Sequence, residues 1–188
     1  MSSEAGKAGE QYGAILSFWF ETLQPADWFR KSERLDKQIG GKFGNLHGAA
    51  CRGELYAWRT GPAGRLAEII LLDQFSRNLY RDTPLAFAQD RQALVLAQEA
   101  VLSHADRALE PRQRGFFYMP FMHSESPAIH EWALELFSQP GLENQLPYEK
   151  DHKAIIDRFG RYPHRNVILG RTSSDEEKAF LKEPGSSF

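Results

Sequence analysis

The sequence predicts an all-α fold of about eight helices packed as antiparallel hairpins around one core. Three observations predict it. Apolar residues recur at three- and four-residue spacing almost throughout the chain. Prolines, glycines and capping residues cut that pattern into segments of helical length. No alternating strand pattern of useful length competes with it. The expected organisation is one helical domain over residues 12–183, with loose tails at 1–11 and 184–188.

The elements follow in order. From Tyr12 to Leu23, the residues Ile15, Leu16, Trp19, Phe20 and Leu23 share a helical face. Trp28 and Phe29 fall in the next connection, and Ser32 is placed to cap a helix through about Cys51. Gly40, Gly41, Gly44 and Gly48 weaken that helix by about 1 kcal/mol each relative to Ala. Asp36, on the same helix, is expected to be exposed. Pro62 suits the first turn of a helix to about Asn78. Asp82-Thr83-Pro84 restarts a long helix through about His104. Pro111 opens the next. Its stretch Phe116 to Met122 is apolar around the whole circumference, and Pro120 predicts a kink or an end. Ser126 and Pro127 are cap and first residue of a helix to about Ser138, which Gln139-Pro140-Gly141 breaks. Tyr148 to Arg161 follows, stopped because Tyr162 precedes a proline. Ser174 and Glu177 have capping-box spacing for a short last helix through Leu181.

Composition removes several classes of function. A net charge of -2 and a pI near 6.3 provide no general attraction to nucleic acid or to a membrane surface. Nucleic acid is therefore not an expected partner, despite the local patch Arg158, Arg161, Tyr162, Arg165 and Arg171. One cysteine, Cys51, allows no internal disulfide and no cysteine-based metal knuckle. Residues 1–10 lack the apolar core of a signal peptide, and no apolar run approaches the ~18 residues of a membrane span. A cytoplasmic location is expected. The glycines from 40 to 48 follow no strand, and no P-loop, Gly-x-Ser-x-Gly or His-Glu-x-x-His is present. Neither a cofactor nor a metal is expected.

One phrase occurs twice. Asp73-Gln74-Phe75-Ser76-Arg77-Asn78 follows Ile69-Ile70-Leu71-Leu72, and Asp157-Arg158-Phe159-Gly160-Arg161 follows Ala154-Ile155-Ile156. In each copy an Asp occupies the apolar face of its helix and an Arg lies one turn later, near enough to pair. A charge buried alone costs several kcal/mol, so both carboxylates are expected to be buried and bonded. Either the pairs staple helices together, or they belong to a polar site. Asn78 and Arg81 follow the first copy; His164, Arg165 and Asn166 follow the second. If the two ends meet, Arg77, Arg81, Arg161 and Arg165 are placed to grip an anion, since guanidinium forks bind carboxylate or phosphate at two points. His123-Ser124-Glu125 emerges from an apolar helix and offers a proton-transfer pair, with His164 as a second candidate. His152 shares a helix with Asp157 and is free either to join this cluster or to face water.

Beyond these single features, a set of blocks carries a resemblance. Phe18-Trp19-Phe20, Trp28-Phe29, Leu71-Leu72-Asp73-Gln74-Phe75, Arg77-Asn78, Phe117-Tyr118-Met119-Pro120, His123-Ser124-Glu125, Arg158-Phe159-Gly160-Arg161, Pro163-His164-Arg165-Asn166 and Leu169-Gly170-Arg171 resemble, in order, the bacterial family called domain of unknown function 924. The likeness spans about residues 12–188. It implies a tetratricopeptide-like right-handed helical array and no established activity. Ser76 stands where the family commonly has proline, and Tyr162 where it commonly has Phe.

Two functions are expected from these readings. The first is a polar pocket for a small anionic ligand, with Arg77 and either Arg161 or Arg165 holding the anion, Asp73 and Asp157 orienting those arginines, and His123 and His164 moving a proton with Glu125 as partner. Asn78, Arg81 and Asn166 complete its lining. The alternative is a peptide- or protein-binding helical module in which the polar pairs only stiffen a groove.

Overall fold

The computed structural model describes residues 2–187, with side chains from residue 6 onward. The helices are α1 (Ser2–Ser17), α2 (Pro25–Trp28), α3 (Glu33–Cys51), α4 (Pro62–Ile70), α5 (Ser76–Leu79), α6 (Asp90–Leu102), α7 (Pro111–Met122), α8 (Pro127–Phe137), α9 (Leu146–Phe159) and α10 (Asp175–Phe180). No strand is found among the described residues. The all-α class is as predicted.

Local signals place most boundaries. Ser32 accepts from the Leu35 amide at 3.3 Å. Ser174 and Glu177 close a reciprocal capping box at 3.1 and 2.7 Å. Pro62, Pro111 and Pro127 open α4, α7 and α8, where a missing N–H costs nothing. Three expectations shift. The helix expected from Tyr12 starts at Ser2, ahead of the expected tail boundary, because Ala8 and Tyr12 already pack on the core. Pro120 does not end α7, which continues to Met122. The long helix expected from Pro84 starts only at Asp90, after a separate 3-10 turn over Pro84–Phe87.

Helix α4 is the axis of the molecule. It packs against α1, α6 and α7 and passes without a break through a π-helical turn, Leu71–Phe75, into α5. From Leu66 to Ser76 every residue is buried. Such a helix must either be apolar all round or have its polar groups answered. Glu68 is answered by Arg59, which donates two bonds to it at 2.6 and 2.7 Å. Gly64 lets the helix approach its neighbour, since a Cβ there would lie 2.1 Å from the Trp58 carbonyl oxygen. Aromatic rings fill the core beside the π turn, with Trp19 5.4 Å from Phe75 and 5.6 Å from Phe116. A smaller apolar cluster of Ile155, Ile156, Tyr162 and Phe180 seats the C-terminal segment.

Candidate functional site

Asp73 lies in the π turn, where the extra residue per turn carries its carboxylate into the interior at 0% exposure. Three side chains donate to it. Arg77 reaches Oδ1 at 3.1 Å from one turn away, and also donates to the Asp73 carbonyl at 2.7 Å. His123 Nδ1 donates to Oδ1 at 2.7 Å. The Gln74 amide donates to Oδ2 at 2.6 Å. Burial alone would raise the carboxyl pKa, but the Arg77 and His123 charges and these bonds overcome it and hold the group well below the usual range.

Arg77 also makes a forked pair with Asp90 at 3.0 and 3.1 Å. Arg165, arriving from the 3-10 turn Pro163–Arg165 after α9, donates to Asp90 Oδ2 at 3.2 Å. Its guanidinium lies 4.6 Å from both the Phe87 and the Tyr162 ring centroids. Its Nε is buried and makes no hydrogen bond. Burial works to lower the Arg165 pKa, against the pull of Asp90.

Histidines surround these pairs. The His123 ring is 6.4 Å from His152, and His152 and His164 flank Tyr162 at 5.7 and 5.6 Å. Burial pushes all three below the ordinary histidine value: His152 to about 3, with the His123 charge adding to it, and His164 to about 4, with Arg165 adding. His123 is lowered by burial and by Arg77, with Asp73 opposing. All three are therefore neutral at pH 7. Because Asp73 accepts from Nδ1–H of His123, the proton of the neutral ring is on Nδ1 and Nε2 has the lone pair. The His123 side chain is 13% exposed, so the site reaches the surface there.

The structure thus brings Asp73, Arg77, His123, His164 and Arg165 to one place, with His152 among them. It does not bring the rest. The second copy of the phrase is not a second buried pair: Asp157 is exposed and bonds Lys153 at 2.7 and 2.9 Å. Helix α9 buries His152, Ile155 and Ile156 instead, so the Ala154–Asp157 edge points outward. Arg161 pairs with Glu177 of α10 at 2.6 and 2.8 Å. That bond lowers Glu177 to about 2, against burial, which works to raise it. Arg81 and Asn78 turn to α3, where both donate to Asp36. Asp36 is accordingly only 16% exposed, contrary to expectation. Glu125 does not partner His123. Arg171 donates to it at 2.6 and 2.9 Å and the Tyr162 amide at 2.8 Å. Burial raises Glu125, but these donors outweigh it and leave the group lowered. Asn166 accepts from Arg171 and donates to Ser173, bracing the loop that presents Arg165.

Sequence reasoning missed Asp90, the carboxylate both arginines share, and Arg171. Misplacing the start of α6 put Asp90 in mid-helix, whereas an Asp at a true N-terminus is a visible signal. It also missed the fully buried His130–Glu149 pair, bonded at 2.7 Å behind Tyr162. His130 and Glu149 lie on different helices, so no spacing rule links them.

Surface depressions of about 330 and 250 Å³ occur among the described residues. The first is lined by Val101, Asp106 and Gln139 among others, the second by His47, Cys51 and Tyr80. Neither is lined by Asp73, Arg77, His123 or Arg165. Among the described residues no group of three or more His, Cys, Asp or Glu is arranged to hold a metal, and no helix is long and apolar enough to cross a membrane.

Comparison with known proteins agrees with this architecture. Residues 15–185 match the family model described as bacterial protein of unknown function (DUF924). The chain is similar to the solved structure of the protein of unknown function ATU0120 from Agrobacterium tumefaciens, at 38% identity and a TM-score of 0.89, over 93% of this chain and 98% of that one. No curated protein matches it. The chain belongs to the bacterial DUF924 family, whose function is unknown.

Proposed function

We propose that the Asp73–Arg77–His123–Arg165 cluster is a site for a small anion on which His123 performs acid–base chemistry. The observation that carries the reading is the 2.7 Å bond from His123 Nδ1 to the buried Asp73 carboxylate, with Arg77 on the same oxygen. A buried carboxylate behind an imidazole holds one tautomer and supports the imidazolium when it forms. The Nε2 lone pair is then the proton acceptor. Arg165 is the anion-binding group: its Nε is unsatisfied and its single bond to Asp90 is long. Asp73 and Asp90 position the two arginines, and Glu125 with Arg171 braces the loop beneath.

The test is thermal stabilisation of the wild type and of Arg165→Ala by a panel of small carboxylates and phosphates. A specific anion at 100 times its Kd stabilises the wild type by about 2.7 kcal/mol and leaves the variant unmoved. Failure of every anion to stabilise the wild type overturns the reading. Stabilisation of both proteins alike removes Arg165 from it.

A further inference from the structure

The charges around His123 balance before any ligand arrives. Facing it are Asp73 and Arg77 from the α4–α5 helix, Asp90 from α6, His152 from α9, and His164 and Arg165 from the turn beyond α9. Two guanidiniums meet two carboxylates. Glu125, on the same loop as His123, is taken up by Arg171, and Glu149 is bonded to His130. The histidines facing the site are neutral at pH 7. An entering anion finds no spare positive charge, and a buried unbalanced charge is strongly disfavoured.

One group can restore the balance without moving. His123 keeps its Nδ1–H bond to Asp73 whether neutral or charged, and a proton added at Nε2 gives a second donor beside Arg77 and Arg165. His123 bonds the Asp73 oxygen that Arg77 also meets, which ties it directly to the charges of the cluster. We propose that this site takes up singly charged anions together with one proton, captured at His123, so that the bound state is that of a neutral acid divided between ligand and imidazole. The inference rests on the anion-site reading above and narrows it. A monocarboxylate fits the charge count, whereas a fixed dianion leaves one negative charge uncompensated.

The experiment is titration calorimetry of the full chain with acetate and with sulfate, at pH 6, 7 and 8, in paired buffers of different ionisation enthalpy. For acetate, the buffer dependence should report uptake of close to one proton at pH 8. Affinity should fall about tenfold per pH unit between pH 7 and 8, one bound proton being one decade per unit. Sulfate should bind at least tenfold more weakly than acetate at pH 8. His123→Gln, which keeps a donor toward Asp73, should bind acetate weakly and without pH dependence. The wild-type proton count decides the matter even if that variant does not fold. Acetate binding with no proton uptake overturns the proposal and leaves the anion site standing. Sulfate binding as tight as acetate at pH 8 also overturns it. Failure of both anions to bind at every pH overturns the proposal and the anion site together.

Discussion

Arg77 and Arg165 come from opposite halves of the chain and meet on one carboxylate, that of Asp90. Two guanidiniums this close repel each other, so the arrangement exists only because Asp90, and behind it Asp73, neutralises them. This makes the first residue of α6 the keystone between the α4–α5 helix and the C-terminal segment.

Replacing Asp90 should therefore be costly. Asp90→Ala strands the buried Arg165 and leaves Arg77 with Asp73 alone, and should destabilise the fold by about 3 kcal/mol, as for one member removed from a buried ion pair. Asp157→Ala, which breaks only the exposed pair with Lys153, should stay within about 0.5 kcal/mol. Denaturant midpoints compare the two directly, and equal midpoints would contradict the shared-carboxylate account.

Acid should unfold the protein earlier than its carboxylates alone would. His123, His152 and His164 have folded-state pKa values below the ordinary histidine value of 6.5, the last two at about 3 and 4. Between those values and 6.5 the unfolded chain binds more protons, so stability falls as pH falls. Each unit of separation is about 1.4 kcal/mol. Asp73 adds loss of the same sign below about pH 4, while Glu149, raised by burial, acts in the opposite sense. The urea midpoint should drop steadily from pH 6.5 to pH 4, and His164→Gln should flatten that slope. A midpoint constant over this range would refute the buried neutral cluster.

Two glycines in helices should answer Ala with opposite signs. At Gly64 the added Cβ meets the Trp58 carbonyl oxygen at 2.1 Å, so the backbone must part there. Gly64→Ala should cost more than about 2 kcal/mol, as overpacking does. At Gly41, on the exposed side of α3, a Cβ meets nothing within 4 Å, and Gly41→Ala should stabilise by about 0.5–1 kcal/mol. Thermal melts of both variants test the placement of α4 against the 3-10 turn Tyr56–Thr60.

The short last helix should depend on its cap. Ser174→Ala removes the acceptor for the Glu177 amide, while the Glu177 carboxylate keeps the Ser174 backbone N–H and Arg161. A loss of about 1 kcal/mol is expected, with faster amide exchange confined to residues 174–181. Exchange that spreads into α7 or α9 instead would show that α10 is more than an outlying clasp.

Much of this molecule was legible before its structure. The apolar period marks the helices, and proline and serine mark where they start, because both effects act within one turn of the chain. Asp73 was legible as a buried, paired carboxylate, since Leu66, Ile70 and Arg77 define its face locally. The matching inference for Asp157 failed for a related reason. Ile155 and Ile156 permit two rotations of α9, and only the packing of His152 and Tyr162 against α7 and α8 selects one. Asp36 was misjudged because its partners, Asn78 and Arg81, come from a distant turn.

What the sequence determined by itself is therefore the helical class, most caps and the identity of the polar groups that needed partners. Which groups partner which was decided by tertiary structure alone. Asp73 takes His123, the arginines take Asp90, Glu125 takes Arg171 rather than His123, and Arg161 takes Glu177 rather than Asp157. The reason is physical. Hydrophobic burial along a helix is read from spacing on that helix, but ion pairs form between helices, and their geometry exists only once the core has set every rotation and register.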